Sequence, residues 1–232
     1  MRMFKSFKML LIAASILAAL AIPAASQELS GKNWRVFNIN PNVPKYWDIN
    51  QADNPLGFDF NTVSSGWYTV YLNTNYKQLT GKASISTTAN WTASNLYINR
   101  SGTPGDAYFR LYFQSAQGNY TSNDYWWSTG TARCDLNNSS SCILTVSLTD
   151  RTQWSNLCGQ RADDIVPHPG DNCVGGTDPN VSPYDGFTAA KRDVKDLGLS
   201  FGRAARYASG VAIDDAFAAP ASFHVSSYRV NP

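Results

Sequence analysis

Apolar and polar side chains alternate with a period of two through much of the chain, the pattern of half-buried β-strands. In residues 79–87 the odd positions are apolar or small, and most even positions are polar. Further segments repeat this pattern with apolar residues at Leu96 and Ile98, at Phe109, Leu111 and Phe113, at Leu144, Val146 and Leu148, at Leu197, Leu199 and Phe201, and at Phe223 and Val225. Clusters of Gly, Pro, Asn and Ser separate the segments, so the sequence predicts antiparallel strands joined by turns.

One segment has helical spacing instead. Its apolar residues recur every three or four positions, at Phe187, Ala190, Val194 and Leu197. We therefore predict a short surface helix within residues 187–195, leading into a strand at 199–201. Many short strands with few helices indicate an all-β fold, and specifically a jelly-roll β-sandwich of antiparallel strands with one short helix.

The first 26 residues have the layout of a secretory signal peptide. A basic start that contains Arg2, Lys5 and Lys8 precedes an apolar run over residues 9–22, and Pro23 and small residues follow it. The apolar run is shorter than the roughly 20 residues that span a membrane. We expect cleavage near residue 26, a single β-sandwich domain over residues 27–232 without a membrane span, and a periplasmic or secreted location.

Removal of that segment changes the charge balance. The 232-residue chain carries 19 Lys and Arg against 17 Asp and Glu, and the mature part would keep 16 basic residues, a net charge of about −1. A near-neutral chain lacks the basic surface that nucleic acids and anionic membranes attract. We therefore expect no nucleic-acid partner.

Four cysteines lie in the predicted mature part, which is typical of an exported protein with two disulfides. Three pairings are open. We favour Cys134–Cys142 and Cys158–Cys173, because each pair brackets a polar loop. A zinc site is the alternative, but the chain has no C-x-x-C motif and only two histidines.

The predicted strand at 108–114 carries the main candidate binding face. Tyr108, Arg110, Tyr112 and Gln114 alternate with the apolar positions and face away from them. Aromatic rings fit the C–H surface of a pyranose, while Arg and Gln provide planar hydrogen-bonding groups for its hydroxyls. The alternative is an ordinary solvated sheet face, in which tyrosine is common.

A second candidate lies just after it, at Tyr125, Trp126 and Trp127. Adjacent residues of a strand point to opposite faces, so one tryptophan should enter the core and the other should point outward, beside Tyr125 or Tyr120. An exposed tryptophan would add a stacking platform to the face. The alternative is that a loop covers it.

Residues 161–186 form a long, irregular and acidic stretch, and loops of this length are often functional. Asp163, Asp164 and Asp171 are the candidate ligands for a structural Ca²⁺, which prefers six to eight oxygen atoms. No EF-hand pattern occurs there, so a disulfide-pinned surface loop without metal is the alternative. No other cofactor is expected.

The second half of the chain resembles galactose-binding-domain-like jelly rolls of the carbohydrate-binding-module type, and exported bacterial proteins of that plan. The resemblance spans roughly residues 79–230. It rests on residues 144–150 with Trp154, on 187–194, on 197–202 and on the closing strand at 221–228. It implies a sandwich whose sheet face or end loops bind sugars, and it transfers no catalytic residue.

These observations favour an exported, non-catalytic binding module for a carbohydrate or another cell-surface ligand. The second hypothesis is a structural or adhesive extracellular protein that binds a protein partner. The third is a glycoside hydrolase, which would need two facing carboxylates. The metalloprotease motif H-E-x-x-H is absent, and Glu28 is the sole glutamate. The oligomeric state stays open.

Overall fold

A computed structural model describes the fold of most of the predicted mature chain. The described residues are 25–29, 33–40, 43–48, 56–92, 96–98, 105–117, 121–169, 176, 179–204, 207–215 and 221–232. The signal-peptide prediction falls on residues 1–26 and therefore lies almost wholly outside them. None of the helices in these ranges has the length and apolarity needed to cross a bilayer.

The described chain forms fifteen strands and one α-helix, which makes it an all-β sandwich as predicted. The strands are β1 (Gln27–Glu28), β2 (Trp34–Asn40), β3 (Val43–Asp48), β4 (Leu56–Asp59), β5 (Tyr68–Asn75), β6 (Ser84–Trp91), β7 (Leu96–Ile98), β8 (Tyr108–Ser115), β9 (Tyr125–Ser128), β10 (Cys134–Asp135), β11 (Ser141–Ser147), β12 (Trp154–Asn156), β13 (Val194–Gly202), β14 (Val211–Ile213) and β15 (Ser222–Asn231). The helix α1 spans Pro183–Arg192.

The strands form two antiparallel sheets of unequal size. The small sheet has the order β1-β15-β6-β11, and β4 also pairs with β15. The large sheet has the order β12-β9-β8-β13-β5-β14-β7, with β10 paired to β8 and the β2–β3 hairpin paired to β5. Strands β8, β13 and β5 therefore form the centre of the large sheet.

Aromatic side chains join the two sheets. Phe223 from β15 of the small sheet contacts Phe109 of β8 and Phe201 of β13, with ring centroids 5.3 and 5.2 Å apart. These residues belong to one core cluster that extends along the chain from Leu29 to Val230. Strand β1 pairs with the end of β15. The first and last strands of the described chain are therefore neighbours at one edge of the small sheet.

The predicted helix exists but lies further upstream. Ser182 caps it, because its hydroxyl accepts a hydrogen bond from the backbone N–H of Asp185 at 3.1 Å, and Pro183 occupies the first turn. The apolar positions Val194 and Leu197 belong to strand β13 instead. Phe187 is the residue that anchors the helix, and its ring lies 5.0 Å from that of Trp126 in the core.

The predicted strand at 79–87 is also shifted. Its first residues form a turn in which Gly81 adopts a φ of 76°, a conformation that glycine tolerates best. Strand β6 starts only at Ser84 and then alternates as expected, with Ile85, Ala89 and Trp91 buried.

Candidate functional site

The predicted strand at 108–114 is confirmed as β8, and its alternation is confirmed too. Phe109, Leu111 and Phe113 face the core cluster between the sheets. The alternating residues Tyr108, Arg110, Tyr112 and Gln114 lie on the other side, which we call the outer face of the large sheet.

The expectation that this outer face is solvated is wrong for its two central residues. Arg110 and Tyr112 are completely buried, while Tyr108 and Gln114 are half-buried. The cover over Arg110 comes from the chain that follows β13. Arg110 donates hydrogen bonds to the carbonyl oxygens of Arg203 and Ala204 at 3.3 and 3.1 Å.

Trp126 and Trp127 point to opposite faces, as the strand geometry predicts. Trp126 enters the core, where its indole N–H donates to the carbonyl oxygen of Asn123 at 2.7 Å. Trp127 lies on the outer face, where it pairs in register with Ser155 of β12. The expectation that one of the two tryptophans is exposed is wrong, because Trp127 has only 1% of its surface accessible.

Tyr207 is the residue that covers Trp127 and Arg110 together. Its ring centroid lies 5.9 Å from that of Trp127 and 4.5 Å from the guanidinium carbon of Arg110. A hydrogen bond of 3.1 Å joins the hydroxyls of Tyr207 and Thr129, and Ser200 donates to the backbone carbonyl of Tyr207 at 3.1 Å. Tyr207 itself is half-buried, so its ring separates Arg110 and Trp127 from solvent.

Aromatic rings cross the outer face from strand to strand and form what we call the aromatic row. It consists of Phe37 (β2), Tyr71 (β5), Tyr112 (β8), and Trp127 with Tyr125 (β9). Successive ring centroids lie 5.8, 4.5, 5.6 and 6.0 Å apart. The middle of the row is buried, whereas Phe37, Tyr71 and Tyr125 are half-buried. The row therefore presents partly exposed rings on both sides of its covered centre.

Several polar atoms on the same face lack a hydrogen-bond partner. Asn73 Oδ1, Arg110 Nε and Trp127 Nε1 are buried without one in the described structure. Asn73 follows Tyr71 on β5 and pairs in register with Gly198, which in turn pairs with Tyr112. Buried polar groups are nearly always satisfied in folded proteins, so this concentration of exceptions needs an explanation.

Charged and polar side chains border the row on one side. Arg35 forms an ion pair with Asp196 at 2.9 Å, and the hydroxyl of Tyr112 donates to Gln114 Oε1 at 2.7 Å. Burial raises the pKa of Asp196 above its ordinary value, although the positive charges of Arg35 and Lys195 act in the opposite direction. The face thus combines flat rings, hydrogen-bonding groups and charges of both signs.

The cysteines support part of the predicted pairing. Cys134 and Cys142 form a disulfide, with Cα atoms 6.1 Å apart, that ties β10 to the start of β11. Cys158 is also disulfide-bonded. Its expected partner, Cys173, lies outside the described residues.

The acidic loop places two of its candidate metal ligands against Arg161 and His168. Asp163 forms an ion pair with Arg161, and Asp164 Oδ2 lies 2.7 Å from Nε2 of His168. The hydrogen bond from Arg161 lowers the pKa of Asp163, and a backbone N–H lowers that of Asp164. Asp171 lies outside the described residues, and no group of three or more metal-binding side chains occurs in the described part of the chain.

Sequence reasoning missed Phe37, Tyr71, Asn73 and Tyr207. A signal for Tyr71 exists, since residues 69–73 alternate around the buried Val70 and Leu72. Tyr207 has no comparable signal, because it lies between strands and reaches the face only through the tertiary fold.

Comparison with known proteins finds no family model, no curated protein and no solved structure that matches this chain. The resemblance to galactose-binding-domain-like sandwiches therefore stays a prediction and assigns no residue a role.

Proposed function

We propose that this protein is a non-catalytic binding protein for carbohydrate, and that the aromatic row is its binding platform. The observation that carries the proposal is the coincidence of two features on one sheet face. Stacked rings cross that face, and buried donors and acceptors without partners lie among them. A sugar needs both features, because its C–H surface packs on rings and its hydroxyls exchange hydrogen bonds.

The partly exposed ends of the row are the expected contact points. Tyr71 and Tyr125 are half-buried and lie on either side of Tyr112 and Trp127. A saccharide that spans them would lie along the row and cover its buried centre. Gln114, half-buried and bonded to the Tyr112 hydroxyl, is a polar contact at the edge.

Export to the periplasm or the medium belongs to the same proposal. The Cys134–Cys142 disulfide supports it, because disulfides persist mainly in oxidising compartments. N-terminal sequencing of protein recovered outside the cytoplasm should begin close to Gln27. The jelly-roll connectivity likewise stays a proposed refinement of the sandwich.

The proposal is tested by titrating the purified protein with a panel of soluble polysaccharides and by pull-down on insoluble ones, with calcium and with chelator. We expect saturable binding to one glycan class. Tyr71→Ala and Tyr125→Ala should each weaken it about tenfold, because stacking on one ring contributes on the order of 1 kcal/mol. The domain should stay folded in both variants.

Tyr184→Ala is the matched control. Tyr184 is an exposed tyrosine of α1 that lies under Arg151, and it takes no part in the row. Its loss should leave glycan affinity unchanged. Absence of saturable binding across the panel would overturn the proposal and favour the hypothesis of a structural or adhesive protein with a protein partner.

A further inference from the structure

Arg110 is a buried cation that has no anionic partner among the described residues. Its side chain is completely buried, and it donates two hydrogen bonds to neutral carbonyl oxygens. Its Nε is buried and unpartnered, and it forms no ion pair with any carboxylate in the described ranges. Buried charges are normally paired, because removal of an ion from water is costly.

A second arginine lies beside it. The guanidinium of Arg133 lies 4.2 Å from the ring centroid of Tyr108, and that of Arg110 lies 5.7 Å from the same ring. We call Arg110 and Arg133 the arginine corner.

The negative charge at this corner does not balance the positive charge. Asp106 is the nearby carboxylate, and it accepts a hydrogen bond from the backbone N–H of Ala204 at 3.2 Å. The pKa of Arg110 is lowered to about 10, mainly by burial; the charge of Arg133 acts in the same direction, and Tyr207, Tyr108 and Asp106 act in the opposite one. The corner is therefore short of anions.

We propose that the arginine corner binds the anionic group of an acidic saccharide, a carboxylate or a sulfate, carried by the same ligand that lies on the aromatic row. The inference rests on the proposed function, since Arg110 lies on the outer face beside Tyr112. Guanidinium groups match both anions because they donate two parallel hydrogen bonds to a pair of oxygens. Arg110 Nε is the unused donor that such a group would satisfy.

Access to the corner is through Tyr207 and Tyr108. Both rings are half-buried and lie against the guanidinium of Arg110. A turn of the Tyr207 ring away from Thr129 would open Arg110 and Trp127 together, so that the anion and the sugar ring would enter side by side.

The test is calorimetric titration of the protein with three oligosaccharides of equal length: a neutral one, a uronate-containing one and a sulfated one. We expect at least one acidic ligand to bind ten times more tightly than the neutral one, and to lose that advantage as salt is raised. Tighter binding of the uronate would identify a carboxylate as the anion that the corner binds. Tighter binding of the sulfated ligand would identify a sulfate.

Arg110→Met should remove the preference for the acidic ligand, so that acidic and neutral ligands bind with equal affinity. Its melting temperature should stay close to that of the wild type, because removal of the unpaired buried cation offsets the loss of its hydrogen bonds to the carbonyl oxygens of Arg203 and Ala204. Arg229→Met is the control, since Arg229 pairs with Glu28 on the small sheet. It should change none of the affinities.

The outcomes separate this inference from the proposed function. Equal affinity for neutral and acidic ligands would overturn the inference and keep the carbohydrate proposal. No binding of any saccharide would overturn both. A large loss of melting temperature in Arg110→Met, with the acidic preference retained, would show that Arg110 is structural and would also overturn the inference.

Discussion

Tyr71 stacks on Tyr112 across an intervening strand, with ring centroids 4.5 Å apart and planes inclined by 23°. The two tyrosines belong to β5 and β8, and β13 runs between these strands. Gly198 is the residue of β13 that pairs with Tyr112. The absence of a side chain there allows the rings to meet, and so keeps the aromatic row continuous across the sheet.

Gly198→Ala is expected to destabilise the fold. A Cβ at this position would lie 2.1 Å from the carbonyl oxygen of Leu72, a backbone atom that cannot move without disturbing β5. Overpacking of this kind costs about 1–3 kcal/mol or more. Denaturant unfolding measures the free energy, and a variant as stable as the wild type would contradict the tight contact between β13 and β5.

The two adjacent tryptophans should respond differently to replacement by phenylalanine. Trp126→Phe removes the donor for the buried carbonyl of Asn123, and leaving an acceptor unsatisfied costs about 1–3 kcal/mol in addition to the lost packing. Trp127→Phe removes an N–H that has no partner within the described part of the chain, so only packing is lost. We expect Trp126→Phe to lower the free energy of unfolding by the larger amount.

Urea unfolding of both variants, monitored by circular dichroism, checks this order. Saccharide affinity provides a second measurement, because the Trp127 N–H is one of the donors proposed for ligand. Affinity should fall in Trp127→Phe while stability changes little. Equal destabilisation by the two changes would show that Trp127 has a structural partner after all.

Loss of the Cys134–Cys142 disulfide should lower stability by about 2–3 kcal/mol. The bridge closes a short loop with a sequence separation of 8, and short loops gain less from a crosslink than long ones. The double variant Cys134→Ala/Cys142→Ala tests this by its melting temperature without a reductant, so that Cys158 keeps its own bond. An unchanged melting temperature would show that the turn is held by other contacts, such as those that Asp135 makes to Asn137 and Asn138.

The local features of the fold could be predicted from the sequence. Alternation in residues 108–114 correctly assigned Phe109, Leu111 and Phe113 to the core and Arg110 to the opposite face. Spacing and the polar loop between them were enough to pair Cys134 with Cys142. Each of these depends on residues close together in the chain, where the period of a strand or the length of a loop determines the outcome.

The cover over the outer face could not be predicted in this way. Arg110 bonds to Ala204 at a sequence separation of 94, and Thr129 reaches Tyr207 at a separation of 78. Alternation tells which side of a strand a residue takes, but not whether another segment packs on that side. The same reasoning therefore placed Tyr112 correctly on the face opposite the core and predicted correctly that Trp126 and Trp127 point to opposite faces, but it was wrong to expect the outward side chains to be exposed.

Asp196 predicts a pH dependence of stability. Its carboxylate is buried on the outer face, and burial raises its pKa despite the ion pair with Arg35. The folded protein therefore holds a proton that the unfolded chain has released, between the unfolded pKa of about 3.9 and the raised folded pKa. In that window this residue's contribution to stability improves as the pH falls, and it is least favourable at neutral pH.

Asp196→Asn replaces the titratable carboxyl group with a neutral amide of nearly the same shape. We expect the variant to be more stable than the wild type at pH 7, with the difference shrinking as the pH is lowered to 4. Arg35 would stay solvated in the variant because it is partly exposed and also bonds to Asn75 Oδ1 at 3.1 Å. Free energies of unfolding at pH 4, 5, 6 and 7 test this, and a less stable variant at pH 7 would show that the attraction to Arg35 outweighs the burial of the carboxylate.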